Sequence, residues 1–248
     1  MRHFNCSACQ HPWEFEDSTV EAMREQLNCP LCQGRLIETK RPGDSIAGGT
    51  PHWLVERILG APKLDSWPAA IGRLTLLAAL LWYSLPFLTE PIRRLPDAMQ
   101  WMHGVNLIFH EAGHMIFGIF GNHLLMVLGG TFGQLLMPLI IAAAFFIKNR
   151  DSFGTACGIW WLGQSTVDCA PYINDARALQ LQLLGGGTGK EVHGHDWEFI
   201  LGDLGLMNQD IYIARGVLLA GRIIMVIGFA WMLAIIARQG LILTQSRG

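Results

Sequence analysis

From residue 69 onward the apolar positions of this chain come in long unbroken runs with short polar breaks between them. The runs cover 69–88, 99–120, 124–147, 153–173 and 211–237. Each is close to the ~20 residues that carry an α-helix across a bilayer. Five runs predict about five transmembrane helices and an all-α polytopic fold over 69–238. The third is broken by Gly129-Gly130 and Gly133, which leaves open a re-entrant dip over 122–130 before a helix at 131–147. A polar loop over 176–209 separates the fourth run from the fifth. Gly154 and Gly158 stand four apart in the fourth run, a spacing that lets helices pack closely.

The first forty residues follow another pattern. They are polar and hold four of the six cysteines, as Cys6-Ser-Ala-Cys9 and Cys29-Pro-Leu-Cys32, with Gly34 just after. Two such knuckles, each aiming two thiolates at one point, suit a structural zinc ion with four sulfur donors. A segment of this size lacks the core to fold alone, so metal would supply its folding energy. Residues 1–40 are therefore expected to form a zinc ribbon. Residues 41–68 are expected to be linker: RPGDSIAGGTP is rich in Gly and Pro, and HWLVERILG has the spacing of a short interfacial helix or a linker turn.

Composition sharpens the membrane reading. Charged residues make up 15% of the chain and hydrophobic ones 51%, where soluble domains have roughly 25% charged. A net charge of -2 offers nothing to hold nucleic acid. The opening MRHFNCSACQ has no apolar core of the kind a cleavable signal needs. The ribbon is thus expected on the cytoplasmic side of a bacterial-type inner membrane. With five crossings, His110, His114, Asp168, Asp175 and the loop histidines would all fall on that same side.

The second run carries the chemistry. Asn106 to Gly121 reads NLIFHEAGHMIFGIFG, with His110, Glu111 and His114 at its centre. Ionisable groups at the middle of a membrane helix cost about 2.5–3.5 kcal/mol each on insertion scales. Three together call for a partner. His-Glu-x-x-His places both imidazoles on one helical face, where they can share a zinc ion, and sets the glutamate beside them as a general base. Catalytic zinc takes three protein donors and keeps one position open. For the third donor the sequence offers Asp175, then His195 in GKEVHGHDWEF, with Asp196 next to it and Asp168 as a support for a ligand. His103 is expected at headgroup level, Gln134 and Asn106 as ties between helices, and Arg222 paired with an acid such as Asp168. GGGTGK lacks the glycine and the Ser or Thr of a phosphate loop and reads as a flexible loop.

A His-Glu-x-x-His motif in a membrane helix, a glycine-rich break after it and an aspartate at the end of a later helix resemble the site-2-protease-type intramembrane zinc metallopeptidases. The resemblance covers roughly residues 99–180 and implies a divergent relative. It implies His110, His114 and Asp175 as zinc ligands, Glu111 as the base, and peptide bonds of membrane proteins as substrate. Ala176 stands where that family usually has glycine, and no Asn-x-x-Pro precedes Asp175. Two zinc ions are thus expected, one catalytic and one structural, with the bilayer and a membrane-protein substrate or partner as neighbours. The other reading is a non-proteolytic zinc-binding accessory subunit of a membrane complex.

Overall fold

The computed structural model describes residues 2–9, 11–16, 20, 28–39, 52–98, 100–184 and 186–245. The linker expected over 41–51 lies outside them. The chain divides into two units, Met1–Glu56 and Arg57–Gly248.

The first unit contains a three-stranded antiparallel sheet. Strand β1 (Arg2–Cys6) lies between β2 (Pro12–Phe15) and β3 (Leu36–Thr39). Its register pairs Phe4 with Trp13 on one side and with Glu38 on the other. Phe4, Cys6, Val20, Cys29 and Leu36 are buried, with Trp13 and Phe15 packed against them. That core is small, and two of its members are cysteines.

The second unit is helical. Helix α1 (His52–Leu59) bridges the division between the units and takes the place of the expected interfacial helix or turn. Then come α2 (Trp67–Thr89), a short helical bend over Ile92–Arg94, α3 (Leu95–Ala98), α4 (Gln100–Gly118), α5 (His123–Ala144), α6 (Ser152–Asp175), α7 (Asp196–Asp203) and α8 (Asp210–Gln245). Local chemistry sets several of these boundaries. Pro68 opens α2. Asn122 caps α5 by accepting from the Leu125 amide, and Asp151 caps α6 by accepting from Phe153 and Gly154. Helix α5 continues through a wide turn to Asn149, and Arg150 ends it with a φ of 51°. Glycines 129, 130 and 133 do not interrupt α5, so no re-entrant dip forms there.

Three helical stretches are long and apolar enough to cross a membrane: Trp67–Thr89, His123–Asn149 and Met207–Gln245. Helices α4 and α6 are not among them. Helix α6 is the central one, and its buried face carries Gln164, Ser165, Asp168 and Asp175. Asn106 and Gln134 of neighbouring helices bond Gln164, Ser165 and Asp168 there.

Side-chain contacts fix the direction of each helix. Along α2, Arg73 meets Gln239 and the Phe87 carbonyl accepts from Arg222, so α2 and α8 are antiparallel. Gly163 abuts Gly221 and Gly228 abuts Trp160, so α6 and α8 are antiparallel. Ser165 bonds the Gln134 carbonyl while Gly158 abuts Ala142, so α5 and α6 are antiparallel. Helices α2 and α6 therefore run one way and α5 and α8 the other. The chain enters this bundle where α5 ends and α6 begins: Ser152 donates to the Arg57 carbonyl, and the Arg57 guanidinium lies 4.4 Å over the Phe146 ring.

Helix α4 does not fit the expected second span. It starts beside α2 and the last turns of α6, with Tyr83 bonding the Met102 amide and His103 bonding Asp168. It ends beside the first turns of α5, where Gly118 packs on Met126. Both of its ends thus lie toward the same end of the bundle. Arg222 also departs from expectation. It donates to the carbonyls of Phe87 and Glu90, which close the C-terminus of α2, rather than to Asp168.

Candidate metal centre

The α4–α5 crossing is built on glycine. A Cβ on Gly113 would come within 2.0 Å of the Gly129 carbonyl oxygen, and one on Gly133 within 2.4 Å of the Phe109 carbonyl oxygen. No larger residue permits that approach. It brings the inner face of α4, with His110 and His114, against the start of α5.

Each imidazole is then fixed through Nδ1. His114 Nδ1 donates to the Met126 carbonyl at 2.9 Å. His110 Nδ1 donates to Gln134 Oε1 at 3.2 Å. A carbonyl oxygen only accepts, so each ring carries a proton on Nδ1 and presents its Nε2 to the cavity. The Gln134 orientation is set in turn, because its Nε2 donates to the Ser165 carbonyl at 3.1 Å and to Asp168 Oδ2 at 3.0 Å.

The two Nε2 atoms converge on one carboxylate oxygen. Asp196 Oδ2 lies 2.7 Å from His110 Nε2 and 3.1 Å from His114 Nε2. Three donors at ~2.0–2.1 Å from a tetrahedral zinc ion stand about 3.3 Å apart. A small outward movement therefore accommodates the ion. Gly130 makes the room, since a Cβ there would come within 2.5 Å of His114 and 2.6 Å of His110 Nε2. Donor type, tautomer and space all fit zinc. Burial would push the Asp196 carboxyl up, but hydrogen bonds from His110 and His114 outweigh it and hold the group down at about 2. It is an anion across the physiological range.

Asp196 reaches this point from the long loop. Gly194 turns the chain at a φ of 125°. His195 follows as the cap of α7, its Nδ1 accepting from the Glu198 amide at 3.1 Å. That makes Asp196 the first residue of α7, where a helix start favours a carboxylate.

The two expected third ligands are elsewhere. Asp175 accepts from the amides of Gln180 and Leu181 at 2.8 Å each and so holds the chain as it leaves α6. His195 is the α7 cap and is almost fully buried, with Nε2 3.7 Å from Asp175 Oδ2. Neither joins His110 and His114, and the group that stands with them as able to hold a metal ion is Asp196. The sequence ranked it below its neighbours because a pairing of loop and helix 86 residues apart leaves no local trace.

Glu111 lines a cavity of about 1330 Å³ together with His110, His114 and Asp196. No hydrogen bond among the described residues engages its carboxylate. Leu183 and Val192 line it as well.

Behind the histidines lies a polar network that sequence reasoning saw only in part. Asp168, 2% exposed, accepts from His103 Nδ1 at 3.0 Å, Asn106 Nδ2 at 3.0 Å and Gln134 Nε2. Tyr172 donates to His103 Nε2 at 3.1 Å, and Trp161 to Asn106 Oδ1 at 2.9 Å. His103 is thus half-buried in this network and lines the same cavity. Gln134 and Asn106 tie helices together as expected. Asp168 reaches His110 through Gln134.

The first unit holds the second cluster. Cys6, Cys9, Cys29 and Cys32 bring their sulfurs within 4.8 Å of one another. Cys6 Sγ lies 3.3 Å from Cys32 Sγ, and Cys9 Sγ 3.7 Å from Cys29 Sγ. Four sulfurs at ~2.3 Å from zinc stand about 3.8 Å apart. The amides of Cys9 and Ala8 point at Cys6 Sγ and hold its thiol down to about 6. Gly34 is needed here as well, for a Cβ would meet Ala8 at 2.7 Å and Cys6 Sγ at 2.9 Å. This group can hold a metal ion.

Comparison with family models, with curated protein sequences and with solved structures finds no match.

Proposed function

We propose that the helical unit is an intramembrane zinc metallopeptidase that hydrolyses peptide bonds of membrane proteins. The observation that carries this reading is the division of labour in one cavity. Three donors converge on a point, and the adjacent Glu111 carboxylate is left out of every described hydrogen bond. Three protein donors leave a tetrahedral ion one position for a reactant, whereas a structural site closes all four. Zinc, when bound, would supply Lewis-acid polarisation of water and of a peptide carbonyl. Glu111 accepts a proton from the attacking water and delivers it to the leaving amine nitrogen. Gln134, held by Asp168, keeps His110 in the tautomer a ligand needs. The 182–194 segment limits the access of bulk water. A substrate helix must unwind first, because its carbonyls are hydrogen-bonded and shielded. The four-cysteine unit is then an adaptor for substrate or partner.

The accessory-subunit reading gains most if four protein donors fill the site. It loses that support with Asp175 and His195 bonded elsewhere. The test compares membranes containing wild-type protein with membranes containing Glu111→Gln, by sequencing new protein N-termini. Cleavages present with wild type should fall by about 10²–10⁴-fold in the variant. Zinc content should stay unchanged. An identical set of termini in both, with zinc retained, would leave the accessory reading.

A further inference from the structure

We propose that the helical unit crosses the membrane four times, through α2, α5, α6 and α8, and that the His-Glu-x-x-His helix α4 lies in one leaflet against lipid without crossing. The proposal rests on the membrane reading and not on peptidase activity.

The first argument is parity. Helices α2 and α5 run in opposite directions, as their contacts with α6 and α8 require. If α4 crossed between them, α2 and α5 would run the same way. The first turns of α4 lie against α2 and the last turns of α6, and its last turn against the first turns of α5. It returns to the end of the bundle from which it set out. Helix α6 must cross in spite of its polar face. It links the far end of α5 to the near end of α8, and its 24 residues extend about 36 Å.

The second argument is the outer face of α4. Trp101, Ile108 and Met115 on α4, and Ile119 just past its end, are all strongly exposed and follow one another at seven- and four-residue steps. On the adjoining helix α5, Phe132, Leu136, Leu139 and Ile140 are exposed as well, and that helix is long and apolar enough to cross a membrane. One solvent covers both, the acyl layer of the bilayer. The outward face of α4 is then wetted by lipid while its inward face holds the metal donors. A substrate segment lying in the same leaflet has a lateral route to the cavity.

The topology has a consequence. Both ends of the helical unit, near residues 57–66 and 245, belong to one side of the membrane. The metal cluster and the 182–194 segment belong to the other.

The experiment uses the full chain with one epitope at each terminus, in sealed vesicles of both orientations. Both epitopes should be reached by antibody and protease from the same side. A Lys190→Cys variant, labelled by an impermeant maleimide above the unsubstituted chain, should react from the opposite side. Epitopes on opposite sides would overturn the four-crossing arrangement. For α4, a fluorophore on Ile119→Cys should be quenched by nitroxide on lipid tails. Absence of quenching, or efficient cross-linking of Ile119→Cys between two chains, would overturn lipid as the occupant. None of these readouts depends on catalysis, so the topology can fail while the peptidase reading stands, and the reverse.

Discussion

At the scale of single residues, the third donor separates what a sequence can rank from what only a fold can choose. Asp175, His195 and Asp196 are all of the right chemistry. The backbone decides between them: amides at Gln180 and Leu181 occupy Asp175, the Glu198 amide occupies His195, and Asp196 is left facing the Nε2 atoms of His110 and His114. Asp196→Asn should therefore lower the metal content of purified protein from two sites per chain to one, as only the cysteine group would still bind. Asp175→Asn should keep both metals and loosen the chain after α6, seen as faster proteolysis near residue 180. Metal loss in Asp175→Asn with retention in Asp196→Asn would reverse the assignment. Gly130→Ala makes a second test at this scale. Its Cβ would press on both ligand rings, so zinc affinity should fall about 10–100-fold, as when a ligand's support is disturbed. Competition with a zinc chelator measures it.

At the scale of elements, five apolar runs were legible as helices because a bilayer-length apolar stretch is a strong signal. Their bounds match α2, α4, α5, α6 and α8 to within a few residues at most ends, though α8 continues well beyond 237. What the sequence could not give was how α4 lies. Crossing or returning depends on contacts between helices far apart in the chain, and hydrophobicity alone reads the same for both. The glycines were seen as a possible break in α5. They are a packing seam instead, with Gly113, Gly129 and Gly133 letting two backbones meet. Gly133→Leu would force α4 and α5 apart and should destabilise the protein by about 1–3 kcal/mol or more, visible as a lowered Tm in detergent. The buried network behaves as one element too. Asp168→Asn leaves Gln134 Nε2 with a weaker acceptor and frees its amide to turn. His110 would then lose its fixed tautomer, and zinc affinity should fall about 10–100-fold while helix content stays constant. Unchanged affinity would remove Asp168 from the support of the site.

At the scale of the whole molecule, the two units should respond to metal removal in opposite ways. Among the described residues the first unit buries five as its core, and two of them, Cys6 and Cys29, belong to the group that can hold a metal ion. Structural zinc of this kind contributes about 10–16 kcal/mol of apparent folding free energy, as much as the whole stability of an ordinary domain, about 5–15 kcal/mol. Without metal nothing on that scale remains to hold three short strands together. The helical unit differs. Its core runs from Leu77 and Phe87 through Trp160 and Ile173 to Met225 and Ile235, far beyond the three metal donors. His110 and His114 are also held by Nδ1 hydrogen bonds to Gln134 and Met126 that leave Nε2 out. Chelation should therefore abolish amide protection across β1, β2 and β3 and leave α2, α5, α6 and α8 protected, with any hydrolytic activity lost and restored by added zinc. Hydrogen exchange read by mass spectrometry follows both units in one experiment. Collapse of helical protection on chelation would mean that the His110–His114–Asp196 ion holds the bundle together and that the centre is structural. Persistence of the sheet without metal would mean that the four cysteines are not its source of stability.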